Sequence, residues 1–157
     1  MTRPSPQRLI ETIIRDAEPE RMLLLGSLPE VDLAAACHSV SPRVTRMGIA
    51  DADKLQDLAI HDLALIGEVV EHLPGRAGEH LLARLRDLHA RRVVVRLAPG
   101  REWSLQRLTG LGFTCLQTSG SGDAEYFGFD IATYKTTPDW LNSRNWANPE
   151  LFDKYRW

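Results

Sequence analysis

The chain reads as a three-layer α/β sandwich whose sheet is mostly parallel and whose last two strands form an antiparallel hairpin. Three observations carry that expectation. Short apolar runs alternate with helix-period segments, and those runs are continuous rather than alternating in polarity. The last two strand-like segments are joined by SGSGD, residues 119–123, a connection built of small turn formers. Continuous apolar strands are buried on both faces, so helices must cover both sides of the sheet.

Leu9, Ile10, Ile13, Ile14 and Ala17 recur at helical spacing after Pro6, which predicts an amphipathic helix over residues 7–17, closed by Glu18 and Pro19. Met22 to Leu25 then runs apolar into Gly26, the pattern of a buried strand. Ser27 and Glu30 have the S-x-x-E spacing of a capping box, predicting a helix through Val31, Leu33, Ala34 and Ala35 to about Ser39. Val44 to Ile49 is the next strand. Asp51, Asp53 and Asp57, with Leu55 and Leu58, follow as a loop or single helical turn, and Leu63 to Ile66 supplies another strand.

Gly75 and Gly78 bracket the start of a long helix with Leu81, Leu82, Leu85 and Leu88 as its apolar stripe. The β-branched run Val93 to Leu97 is a strand stopped by Pro99 and Gly100. Ser104 to Leu111 predicts a helix ended by Gly112. Thr114 to Thr118 and about Glu125 to Tyr134 make the hairpin, with Phe127, Phe129 and Ile131 on one face.

A chain of 157 residues, 43% hydrophobic and 25% charged, fits one globular domain rather than a disordered or fibrous class. The net charge of −2 lacks the positive surplus of a phosphate-backbone binder, so nucleic acid is not an expected partner. Cys37 and Cys115 have neither a CxxC nor a His spacing to complete a metal site and read as reduced thiols. MTRPSPQR, at the start, lacks the apolar segment of a secretory signal, and no run reaches the ~18 apolar residues of a membrane span. A soluble cytoplasmic protein with no membrane association is expected.

The segment DLALIGEVVEHLP, residues 62–74, resembles the fourth strand and following motif of class I S-adenosylmethionine-dependent methyltransferases. Met22 to Ser27 is similar to that family's first strand and donor loop, RRVVVRLAPG to its fifth strand, and LTGLGFTCLQ to its late helix-to-strand passage. The resemblance covers about residues 20–134 and implies a Rossmann-like, methyltransferase-like fold of a bacterial, degenerate kind. Three departures stand out. The family's glycine-rich donor loop is reduced to LLLGSLPE, with Leu28 and Pro29 where bulk and a missing N–H discourage close ligand approach. No acid ends the second strand to hold ribose hydroxyls, Asp51 being the nearest. Only twelve residues separate Ile49 from Asp62, so one strand-helix unit is shortened away.

These departures lead to the expectation of a domain over residues 1–134 that lacks normal donor binding, needs no cofactor and serves as a binding or scaffold module. The alternative implied by the resemblance is a methyltransferase of unspecified substrate. It would hold S-adenosylmethionine through Gly26, Ser27, Asp51, Gly67 and Glu68, with substrate near His72. No catalytic or metal-ligating residue is assigned. Glu68 and His72, four apart, would share a helical face as a surface pair, while Arg96 inside a buried strand needs an internal acid such as Glu68. His38, His61, His80 and His89 read as surface or satisfied structural histidines. Residues 135–157 hold Trp140, Trp146 and Trp157 with Phe152 and Tyr155, an aromatic tail expected to pack on the domain, on a second copy or on a protein partner.

Overall fold

The computed structural model describes residues 4–74, 76–98, 103, 105–117 and 124–134. Its strands are β1 (Arg21–Gly26), β2 (Arg43–Met47), β3 (His61–Gly67), β4 (Ala90–Leu97), β5 (Thr114–Gln117) and β6 (Glu125–Asp130). They form one sheet in the order β2-β1-β3-β4-β6-β5. β2, β1, β3 and β4 are parallel, and β6 runs antiparallel to both β4 and β5. The expected sandwich is therefore present, hairpin included. The hairpin connection and the aromatic tail lie outside the described residues.

Five α-helices are described, α1 (Pro6–Ala17), α2 (Leu33–Ala36), α3 (Ala77–Arg84), α4 (Leu105–Gly110) and α5 (Ile131–Tyr134). Ser5 caps α1 by accepting from the Arg8 N–H at 3.3 Å, and Pro6 sits where its absent N–H costs nothing. Ile10 and Ile14 of α1 pack with Ala36, Met22, Leu24 and Leu65 on one sheet face. Leu81, Leu82 and Leu85 pack with Leu108, Phe113, Val93 and Val95 on the other. Each face thus buries its own apolar cluster, which accounts for strands without polar alternation.

Between β2 and β3 the chain makes only a 3-10 helix, Ile49–Asp57, before crossing to the far side of β1. No strand intervenes there, as the short spacing predicts. β1 and β3 consequently sit at the point where successive connections leave in opposite directions. In open α/β sheets that crevice, at the carboxyl ends of the strands, is where ligands bind.

Four local expectations are corrected. Ser27 and Glu30 do not cap a helix, because both side chains find distant partners. Asp32 caps α2 instead, accepting from the Ala35 N–H at 3.1 Å. Glu68 does not enter a helix with His72: it takes a left-handed backbone, φ 52°, ahead of a 3-10 turn, Val70–His72. The leucine stripe of α3 breaks at Leu88, which is 60% exposed, since the final turn Leu85–His89 is a π-helix whose wider pitch rotates Leu88 outward. β6 ends at Asp130, whose carboxylate accepts from the Ala132 N–H at 2.9 Å and turns the chain into α5, leaving Ile131 56% exposed.

Candidate functional site

One register row crosses the carboxyl end of the sheet: Gly26 on β1 faces Gly67 on β3, Gly67 faces Arg96 on β4, and Arg96 faces Tyr126 on β6. Gly26 has φ +78°, and a side chain there would begin 1.9 Å from the Gly67 carbonyl oxygen. At Gly67 it would begin 2.0 Å from the Ser27 carbonyl oxygen and 2.8 Å from a Leu28 methyl. Each glycine thus makes room for the other strand's backbone. The Ser27 N–H donates to the Gly67 carbonyl at 3.1 Å, carrying the β1–β3 pairing past the strand ends into the crevice.

Side chains close what remains. Ser27 Oγ donates to Glu68 Oε2 at 2.8 Å, and Leu28 is buried among the apolar residues of the α1 face. Glu30 reaches across to β4, where its carboxylate accepts from Arg96 Nε at 3.0 and 2.8 Å and pairs with Arg96 Nη2 as well. Tyr126 donates its hydroxyl to Glu30 Oε2 at 3.0 Å, and Glu68 Oε1 lies 3.6 Å from Arg96 Nη1. A buried guanidinium is therefore flanked by two carboxylates, as a charge removed from water requires. The Arg96 hydrogen bonds hold the Glu30 carboxyl below its ordinary range. Burial, followed by the Glu30 charge, pushes the Tyr126 phenol well above the usual value.

Of the residues singled out in sequence, Gly26, Ser27, Gly67 and Glu68 come together at this crevice. Asp51 follows the carboxyl end of β2, where it accepts from the Gly48 N–H at 3.1 Å and pairs with Lys54 at 3.2 Å, and the backbone hydrogen bond foremost holds its carboxyl low. Arg96 pairs with Glu68 as expected, but its closer partner is Glu30, which sequence reasoning assigned to a helix cap. Glu71 accepts from the Ala98 N–H at 3.0 Å and so fastens the end of β4. His72 is exposed. His61 is buried and satisfied by Ala59 O at 2.8 Å and Thr45 Oγ1 at 3.3 Å. His89 departs from expectation, being buried with no hydrogen-bond partner among the described residues at either ring nitrogen. Among the described residues no group of three or more His, Cys, Asp or Glu gathers as a metal site, and no helix is long and apolar enough to cross a membrane.

A mixed six-stranded sheet with helices on both faces and a crevice between β1 and β3 is a Rossmann-like, methyltransferase-like fold, shared with solved methyltransferase domains. The methyltransferase domain of a bacterial Hen1 (CtHen1-CN) superposes with a TM-score of 0.52 at 13% identity, covering 79% of this chain and 97% of that one. The small RNA methyltransferase HEN1 gives 0.51 at 10% identity over 86% of this chain, which spans 26% of the HEN1 chain. At such identities the likeness is one of fold. The chain itself belongs to DUF6231, a family of unknown function whose model matches residues 4–157. No curated protein matches it.

Proposed function

We propose that this protein is a methyltransferase-like domain without ordinary S-adenosylmethionine binding, acting as a binding or scaffold module. One observation carries the reading: the segment after β1 lies across the carboxyl end of β3, joined to it by the Ser27–Gly67 backbone hydrogen bond, with Leu28 packed on Gly67 and Glu30 bonded to Arg96. A donor loop must leave its backbone N–H groups and the space above them free for ligand. Here the Ser27 N–H is bonded to Gly67, and the Leu28 and Glu30 side chains lie over that end of the sheet, which supports the reading that the residues present do not fit the donor. The module's partner is a second copy or another protein, engaged through the aromatic tail of residues 135–157 in the cytoplasm.

Titration calorimetry of the whole chain with S-adenosylmethionine and S-adenosylhomocysteine tests this directly. No binding is expected at sub-millimolar ligand, and micromolar affinity overturns the proposal. The association arm is read by light scattering of the whole chain against one ending at Tyr134. A mass per particle that is monomeric in both, together with no protein partner lost on truncation, counts against it.

A second reading, an active methyltransferase of unspecified substrate, is favoured by the placement of Gly26, Ser27, Asp51, Gly67 and Glu68 along one edge of the sheet. It requires the Glu30–Arg96 contact to open and admit S-adenosylmethionine. The same calorimetry separates the two.

A further inference from the structure

At the opposite, amino-terminal edge of β1 and β2 lies a cavity of about 620 Å³ lined by Glu18, Glu20, Arg21, Ser39, Ser41 and Arg43, with Pro19 and Val40. Its volume falls in the range of small-molecule sites. Arg21 and Arg43 are register partners on adjacent parallel strands, so their side chains are rooted about 5 Å apart. Like charges directly opposite on neighbouring strands repel. Among the described residues neither guanidinium has a carboxylate partner, although two glutamates line the same cavity. The Ser39 and Ser41 hydroxyls likewise make no hydrogen bond to a described residue. Ser41 also holds a left-handed backbone, φ 49°, uncommon for a residue with a side chain.

Two partly buried arginines elsewhere in the molecule are matched, Arg92 on Asp130 at 2.8 Å and Arg107 on Glu79 at 2.7 Å. Around this cavity two cations and two anions stand apart from one another. We propose that the cavity is a binding site for a small zwitterion with an oxyanion at one end and an ammonium at the other. Arg21 and Arg43 take the oxyanion, since paired planar forks match its oxygens in bidentate fashion, and the serine hydroxyls supply further donors. Glu18 and Glu20 take the ammonium. The site is independent of the β1–β3 crevice and of whether S-adenosylmethionine binds.

Three probes decide it by calorimetry on the whole chain: inorganic phosphate, O-phosphoethanolamine, and β-alanine as a carboxylate counterpart with the same two-methylene spacer. O-phosphoethanolamine or β-alanine is expected to bind at least tenfold more tightly than phosphate, the stronger of the two naming the oxyanion. Arg43→Gln should weaken both zwitterions at least tenfold. The pair Glu18→Gln with Glu20→Gln should erase their advantage over phosphate without weakening phosphate itself. All three side chains are exposed, so thermal melts should confirm unchanged folding in these variants. No saturable binding of any probe, equal affinity for phosphate and both zwitterions, or indifference to Arg43→Gln would each overturn the assignment.

Discussion

The two ends of the same parallel strands differ in how completely the protein satisfies itself. At the carboxyl edge every charged group of the row has an internal partner: Arg96 holds Glu30 and Glu68, Tyr126 supports Glu30, and Ser27 binds Glu68. At the amino edge of β1 and β2 four charges line a cavity and none is paired among the described residues. Open α/β folds ordinarily show the reverse, with the carboxyl edge left open for ligand. The difference teaches that one parallel sheet can pair its charges with one another at one edge and leave them apart at the other.

The largest test of that contrast is Gly67→Ala. A Cβ at this position meets backbone rather than a flexible side-chain tip, so β1 and β3 must separate for it to fit. A loss of roughly 3 kcal/mol or more is expected, in the range of severe steric substitutions, as read by urea unfolding. Gly26→Ala adds strain at φ +78° and should behave alike. A loss under about 1 kcal/mol at Gly67 would show that the crevice is looser than the glycine crossing implies.

A smaller effect is expected from Glu30→Gln, which leaves Arg96 with Glu68 as its remaining anionic partner. Complete loss of a buried pair costs about 3–5 kcal/mol, but the Glu30 side chain is 34% exposed, so about 2 kcal/mol is expected at neutral pH. The Arg96 hydrogen bonds depress the folded-state value of Glu30 below its usual 4.5. The stabilisation is therefore fully present above that value and is lost as pH falls through the depressed one. Unfolding free energies of the wild type and Glu30→Gln should differ by a constant amount from neutral pH down to about pH 5 and converge below. A difference that persists unchanged into strong acid breaks the account.

Much of this architecture was legible in the chain. The apolar runs at Met22 to Leu25, Leu63 to Ile66 and Val93 to Leu97 gave the parallel strands, because burial on both faces removes polar alternation. The shortened passage after Ile49 gave the absent strand-helix unit. A buried Arg96 demanded an internal acid, and it has two. The identity of the nearer acid was not legible, since Glu30 lies 66 residues away and its spacing from Ser27 matched a local capping pattern. Local signals lose where a buried guanidinium offers a stronger, distant partner. Leu88 and Ile131 were misplaced for a related reason: a π-turn and a side-chain cap at Asp130 shift the period by a fraction that no count along the sequence contains. The amino-edge charges carry no sequence signal, as only the β1–β2 register brings Arg21 beside Arg43.

The finest test concerns Ser27, where the two functional readings assign different work to one hydroxyl. In a self-satisfied edge its Oγ does nothing but donate to Glu68 at 2.8 Å, on the exposed rim of the network. Ser27→Ala should then cost about 0.5–1 kcal/mol, the net worth of one hydrogen bond to a charged acceptor near solvent. Glu68→Gln should cost a similar amount, because it also weakens the 3.6 Å contact with Arg96. Since the two side chains share that bond, the double variant should fall short of the sum by about 0.5 kcal/mol in a double-mutant cycle read by urea unfolding. Strict additivity would mean that the bond is not made in solution and that Ser27 is free to meet a ligand, which would reopen the carboxyl edge as a site.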